Sequence, residues 1–328
     1  MDIQRTAAAI MASPDSAEAS LRQMNMPWFM TPFFPTLLQE ANLSTCDRTL
    51  IEQFARDGYA IIDAEIPDLD AVCTRLIADL APKYGGVGRI QDAWKANADV
   101  KMLATLPSID RVLRLFYQRD PIPFQTLNFP AGTEQHTHSD TVHFHSVPHG
   151  FMCGVWIALQ DIGEDCGPLH VYPGSHRMPA WDFHDLGLPS GRESYARYED
   201  CMEAYVQAAG LKKHIVTMKK GQAVIWAATL LHGGEPITKI GSTRHSQVTH
   251  YYFSDCLYYT PMNSDPYIGK MHLRTITDIR TGQPVPNRYG GKIISAVPEP
   301  VTPVQNATVA SKHVLKRLLE RARRMMAR

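Results

Sequence analysis

Residues 151–176, FMCGVWIALQDIGEDCGPLHVYPGSH, set the fold. The apolar run 151–159 reads as a strand. GEDCGP follows as a turn, and LHVY is a second strand stopped by Pro173-Gly174. The same rhythm extends in both directions. Upstream, FQTLNF ends at Pro130-Ala131-Gly132; downstream come HIVTM closed by KKGQ, the run AVIWAATLLHGG, and RHSQVTHYYF at 244–253. Many short strands separated by glycine and proline turns predict a mainly β protein, a sandwich or barrel. One long interruption, at 178–210, contains the helical pattern RESYARYEDCMEAYVQAAG. An insertion of that length between strands is often functional. Ahead of the strands, DRTLIEQFARDG predicts a helix capped by Asp47 and stopped at Gly58. YAIID then reads as a strand, and helical patterns recur near 68–82 and 108–117.

Three domain segments follow. Residues 1–46 form an aromatic and proline-rich N-terminal extension, expected to pack on the main domain or cover part of it. Residues 47–290 form the main domain. Residues 291–328 are a linker and a basic amphipathic helix, with Leu315, Leu318, Leu319, Ala322 and Met326 on one face. That helix suits docking on its own domain or on a second subunit, or attachment to a membrane surface. The 328 residues carry 33 basic and 33 acidic side chains, a balance that argues against nucleic acid or an anionic membrane as the partner of the whole surface. Six scattered cysteines without a C-x-x-C pair argue against a disulfide framework and a cysteine zinc site. No secretory pattern opens the chain and no apolar run approaches a bilayer's thickness, so a cytoplasmic location is expected.

The chemistry concentrates in QHTHSDTVHFHS, 135–146. Alternate side chains of a strand share a face, so His136, His138 and Asp140 form one candidate set. His143 and His145 form a second pair, and a three-histidine site drawn from these residues is the rival arrangement. A bare His-x-Asp is a weak signal. Its weight rises because His232 follows a strand-like run far downstream and Arg244 opens the next one. Two imidazoles and a carboxylate can fill one face of an octahedral ferrous ion and leave the other face free. An arginine on the next strand can anchor the far carboxylate of a co-substrate.

HTHSD, CGVWIALQDI, CGPLHVYPGSHR, LLHGG and STRHSQVTHYYF together resemble the phytanoyl-CoA dioxygenase family of Fe(II)/2-oxoglutarate oxygenases, in that family's order and spacing. LIEQFARDGYAIID matches its opening helix and strand, so the likeness covers roughly residues 47–253. It implies a double-stranded β-helix, or jelly roll. It also implies His138, Asp140 and His232 as iron ligands and Arg244 on the C5 carboxylate of 2-oxoglutarate. Trp156, Gln125 and, more weakly, Arg89 of RIQDAW fall where the family places co-substrate contacts. The implied reaction consumes dioxygen, releases succinate and CO2, and hydroxylates an aliphatic C–H bond of a small polar or amphipathic molecule. Asp140 favours hydroxylation over halogenation, because related halogenases lack that carboxylate. Desaturation or cyclisation, and a jelly roll that binds ligand without turnover, are the alternatives.

Overall fold

A computed structural model describes residues 24–294. The C-terminal helix expected from the sequence lies outside the described residues, as do residues 1–23. The core is a six-stranded antiparallel sheet facing a three-stranded one. In the large sheet, β1 (Tyr59–Asp63) pairs with β8 (Gln222–Ala227), β8 with β5 (Met152–Ala158), and β5 with β10 (Ser246–Phe253). β10 then pairs with β3 (Pro121–Phe129), and β3 with the short β2 (Ile90–Gln91). The small sheet joins β7 (His214–Val216), β6 (Leu169–Val171) and β9 (His232–Gly234). β4 (His145–Val147) pairs with β11 (Leu257–Tyr259) beside them. This is the jelly-roll arrangement the sequence implied.

Alternation along β5 shows how one strand serves two layers. Cys153, Val155 and Ile157 face outward into a helix-covered core; Trp156 and Ala158 face the small sheet. The inner layer is closed by Phe129, Val224, Trp226 and Val248 of the large sheet and Val171 and Val216 of the small one. The outer face is covered by α2 (Thr45–Asp57), α3 (Leu69–Leu80) and α5 (Pro107–Tyr117). Phe54 of α2 stacks on Phe116 of α5, ring centroids 4.0 Å apart. The segment read as an extension joins this layer: Trp28 and Phe29 are buried in it, as is Leu38 of the short helix α1 (Phe34–Glu40). The remaining helices are α4 (Ala98–Leu103) and α6 (Tyr195–Ala208), the latter within the expected insertion.

Two local readings change. The cap of α2 is Ser44, whose Oγ accepts the Asp47 backbone N–H at 3.1 Å; Asp47 lies in the first turn, where its charge suits the helix dipole. Gly58 does end the helix, at φ +81°. AVIWAATLLHGG is two strands, not one. β8 stops at Ala227, the chain turns through buried Leu230 and Leu231, and β9 begins at His232 in the other sheet.

Candidate metal centre

His138 and His232 oppose one another across an isolated bridge and exchange both backbone hydrogen bonds, at 2.9 and 3.0 Å. Their rings therefore lie side by side, centroids 4.4 Å apart. Gly233 lets this pair form: a Cβ there would sit 2.8 Å from the Gln135 carbonyl and from the His170 ring. Each imidazole donates Nδ1–H to a carbonyl two residues back, His138 to His136 at 2.8 Å and His232 to Leu230 at 2.9 Å. That bond fixes the tautomer and leaves both Nε2 lone pairs facing inward. Asp140 completes the group. Its Oδ1 lies 3.8 Å from His138 Nε2 and 3.9 Å from His232 Nε2, too far to hydrogen-bond either. The three ligand atoms lie within 4.8 Å of one another and all three residues are buried.

His136 is not on this face. The 135–139 backbone is not a strand and Asp140 opens a 3-10 turn (Asp140–Val142), so the alternation expected from the sequence breaks. His136 is exposed and lies 3.9 Å from Glu203. His143 and His145 do not join the group either. His143 packs beside the Tyr195 ring, and His145 stacks on Tyr259.

The electrostatics suit a cation. Burial, then the adjacent imidazole, hold His138 down to about 3, so it presents a neutral nitrogen. Burial alone would raise Asp140. The imidazoles of His232, His250 and His138, with the Trp226 indole, reverse this, and the carboxyl sits below its usual range. Trp226 Nε1–H donates to Asp140 Oδ2 at 2.8 Å, which turns the other oxygen toward the histidines. Sequence reasoning placed Trp226 in the core and missed this bond. The residue does sit on the inward face of β8, but its partner is remote in sequence and nothing in the local pattern marks it.

Gly154, opposite Trp226 on β5, has room for nothing larger: an added Cβ would lie 2.1 Å from the indole ring. Gly154→Ala is therefore expected to push the indole off Asp140. It should cost about 1–3 kcal/mol of stability and weaken divalent-metal binding, as read by urea unfolding and metal titration. Unchanged values for both would show that the indole does not hold the carboxylate.

Arg244 lies 2% exposed just before β10. One nitrogen donates to the Gly167 carbonyl at 2.6 Å, while Nε is buried without a partner. Trp156 packs against it, guanidinium carbon to ring centroid 5.1 Å, and Phe129 flanks it at 6.0 Å. Burial pulls its pKa down to about 10. Among the described residues no carboxylate pairs with it. A buried guanidinium with an orphaned donor is costly unless an anion arrives.

Gln125 accepts a hydrogen bond from His250 Nδ1–H at 3.0 Å, beside a β-bulge where β3 carries an extra residue, Phe124. Gln135 Nε2 lies 3.2 Å from His138 Nε2 and 3.3 Å from the Tyr195 hydroxyl, which ties α6 to the group. Tyr198, also of α6, accepts the Ser139 backbone N–H at 3.1 Å. Arg89 is exposed and touches none of the three. The structure thus gathers His138, Asp140 and His232, pairs Arg244 with Trp156, and sets Gln125 beside His250. His250 and Gln135 were not foreseen.

Comparison with known proteins agrees. Residues 86–245 match the family model described as phytanoyl-CoA dioxygenase (PhyH). The human peroxisomal phytanoyl-CoA dioxygenase is 24% identical over 232 residues, covering 63% of this chain and 63% of its own length. The zebrafish (Danio rerio) phytanoyl-CoA dioxygenase domain-containing protein 1 is 26% identical over 198 residues, 56% of this chain and 63% of its own. The chain thus spans just under two thirds of the length of these relatives. Among solved structures, the non-heme α-ketoglutarate-dependent carbocyclase SnoK from nogalamycin biosynthesis superposes with a TM-score of 0.54 at 18% identity, over 66% of this chain and 87% of its own. The epimerase SnoN of the same biosynthesis gives 0.51 at 18% identity, over 76% and 96%. The motifs, the jelly roll and the matched region all resemble the phytanoyl-CoA dioxygenase family, whose model matches residues 86–245 of this chain.

Proposed function

We propose that this protein is an Fe(II)/2-oxoglutarate-dependent dioxygenase that hydroxylates an aliphatic C–H bond of a small polar or amphipathic metabolite, releasing succinate and CO2. The observation that carries this reading is the buried convergence of two imidazole nitrogens and one carboxylate oxygen. Three protein ligands of this type fit a ferrous ion that keeps positions free. His138, Asp140 and His232 would hold it. When bound, iron and the oxo acid supply the oxidising power that an all-protein site lacks. The chain's own residues do the rest. The carbonyls behind His138 and His232 fix which nitrogen each presents, and Trp226 orients Asp140. Arg244 receives the far carboxylate of 2-oxoglutarate, with Trp156 as the wall that keeps water from the guanidinium. Tyr195 and Tyr198 make α6, within the insertion 178–210, the lid over the site.

The names of the relatives support the class, and SnoN has been solved with Fe3+ and α-ketoglutarate. SnoK and SnoN are a carbocyclase and an epimerase, so a non-hydroxylating outcome is the second reading. Product analysis separates the two. Six unpaired cysteines support a reducing compartment such as the cytoplasm. No helix of the described residues is long and apolar enough to cross a membrane.

The test is succinate release from 2-oxoglutarate under air with added Fe(II). Arg244→Gln is expected to weaken 2-oxoglutarate binding about 30-fold or more, the effect of truncating a buried charge partner by 2 kcal/mol or above. Iron affinity should stay unchanged. A variant that binds 2-oxoglutarate normally would remove Arg244 from its role.

A further inference from the structure

Beyond the residues already used, one wall of the site remains unexplained. Phe144 stands at its centre. The His250 ring lies 4.8 Å from Phe144, and the His143 ring 6.0 Å. Behind these aromatics sits Arg274, from the segment after β11. Its guanidinium carbon lies 4.7 Å from the Phe144 ring and 5.8 Å from that of Phe124. One nitrogen donates to Thr260 Oγ1 at 2.9 Å, while Nε is buried and has no partner. Among the described residues no carboxylate pairs with Arg274, nor with Arg89. Both cations are felt at the same place. Burial is the main cause of the low pKa of His143 and His250, about 4 in each; the Asp140 carboxylate opposes it, and Arg89 and Arg274 both push it down.

This cationic wall is separate from Arg244. Arg244 lies six residues before His250, ahead of the start of β10, roughly 20 Å if the chain is extended at 3.3 Å per residue, and packs on Trp156 and Phe129 instead. A dicarboxylic acid held at Arg244 leaves the second pole unmatched. Neutral imidazoles at His143 and His250 and the Gln125 amide supply hydrogen bonds there but no charge. The one anion felt there, Asp140, is turned toward His138 and His232, and Arg274 has none of its own.

We infer that the substrate carries an anionic group, a carboxylate or a phosphate, seated on Arg274 at the Phe144–His250 wall, so that substrate and co-substrate are held by arginines at opposite ends of the site. This rests on reading the centre as an iron and 2-oxoglutarate site. Phe144 and Phe124 hold the guanidinium plane by cation–π contact and keep it partly dry, which strengthens a charge-assisted bond.

The experiment uses the full chain loaded anaerobically with Fe(II) and saturating 2-oxoglutarate, so that Arg244 is already occupied. The visible absorption of the ferrous 2-oxo acid chelate is followed while inorganic phosphate or acetate is added. Its position reports changes near the metal without turnover. At least one of the two anions is expected to shift the band saturably, and the tighter binder identifies the group the seat prefers. Arg274→Gln should weaken that response at least tenfold and leave 2-oxoglutarate affinity within twofold. Arg274→Lys, which keeps the charge, should retain part of it. No saturable response to either anion, or one that Arg274→Gln leaves intact, overturns the seat. Failure of the absorption band to form at all instead rejects the iron and 2-oxoglutarate reading beneath it.

Discussion

Asp140→Ala leaves the protein folded and without measurable 2-oxoglutarate turnover. Asp140 contributes the single anionic ligand of the group, and its two oxygens are already divided: one turned to the histidines, the other accepting from Trp226. Removing it should lower Fe(II) affinity by at least roughly 100-fold, because even the outer partners of metal ligands are worth 10–100-fold. Stability moves little. The variant strands the buried Trp226 N–H, at about 1–3 kcal/mol, but it also relieves a desolvated carboxylate. Asp140→Asn separates the two effects: it keeps an acceptor for the indole and still removes the charge. Metal titration with unfolding curves on both variants reads this directly. Full decarboxylation of 2-oxoglutarate by Asp140→Ala would show that the carboxylate is not a ligand.

The second large effect is on acid stability. His176 and His250 are 1% and 4% exposed. Burial lowers each to about 4, against about 6.5 for a free histidine. His176 shows why. Its Nε2 meets the Ala55 carbonyl at 3.2 Å, and its Nδ1 is buried with no acceptor, so a second proton has nowhere to point. The sign follows from linkage. Above pH 6.5 both are neutral, folded or unfolded, and their contribution to stability is complete. As pH falls, the unfolded chain takes up the protons first and the native state loses ground until about pH 4. Each histidine accounts for roughly 3 kcal/mol across that window at 1.36 kcal/mol per unit. Denaturant midpoints measured from pH 7.5 to 4.5 should therefore fall steeply below 6.5, and His176→Gln should flatten the slope. A flat profile in the parent protein would mean that these imidazoles take up protons as readily in the fold as in the unfolded chain.

The sequence carried the strand layout well, since glycine or proline turns stop β3 and β6 and the apolar run of β5 alternates between two layers. What it misplaced has physical causes. The HTHSD segment looked like a strand because its polar residues alternate, yet its one strand-like pairing is at His138, by the bridge to His232, and it then curls into a 3-10 turn. His138, Asp140 and His232 still converge because two of them are paired by that bridge and the third opens the turn. AVIWAATLLHGG looked continuous because the turn residues Leu230 and Leu231 are as apolar as the strands they join. The supporting partners were invisible for another reason. Trp226, His250 and Tyr198 come from three separate elements, and only the closed jelly roll puts them beside Asp140 and its neighbours. Arg244 was legible as a residue type at a spacing. Its lack of an acidic partner, the feature that points to a ligand, was not.

The most direct measurement is anomalous diffraction at the iron edge from crystals grown anaerobically with Fe(II) and 2-oxoglutarate. The account requires one ion about 2.0–2.2 Å from Nε2 of His138, Nε2 of His232 and a carboxylate oxygen of Asp140, with the far carboxylate of the oxo acid on Arg244. An ion bound elsewhere, or an oxo acid whose far end turns away from Arg244, would contradict it.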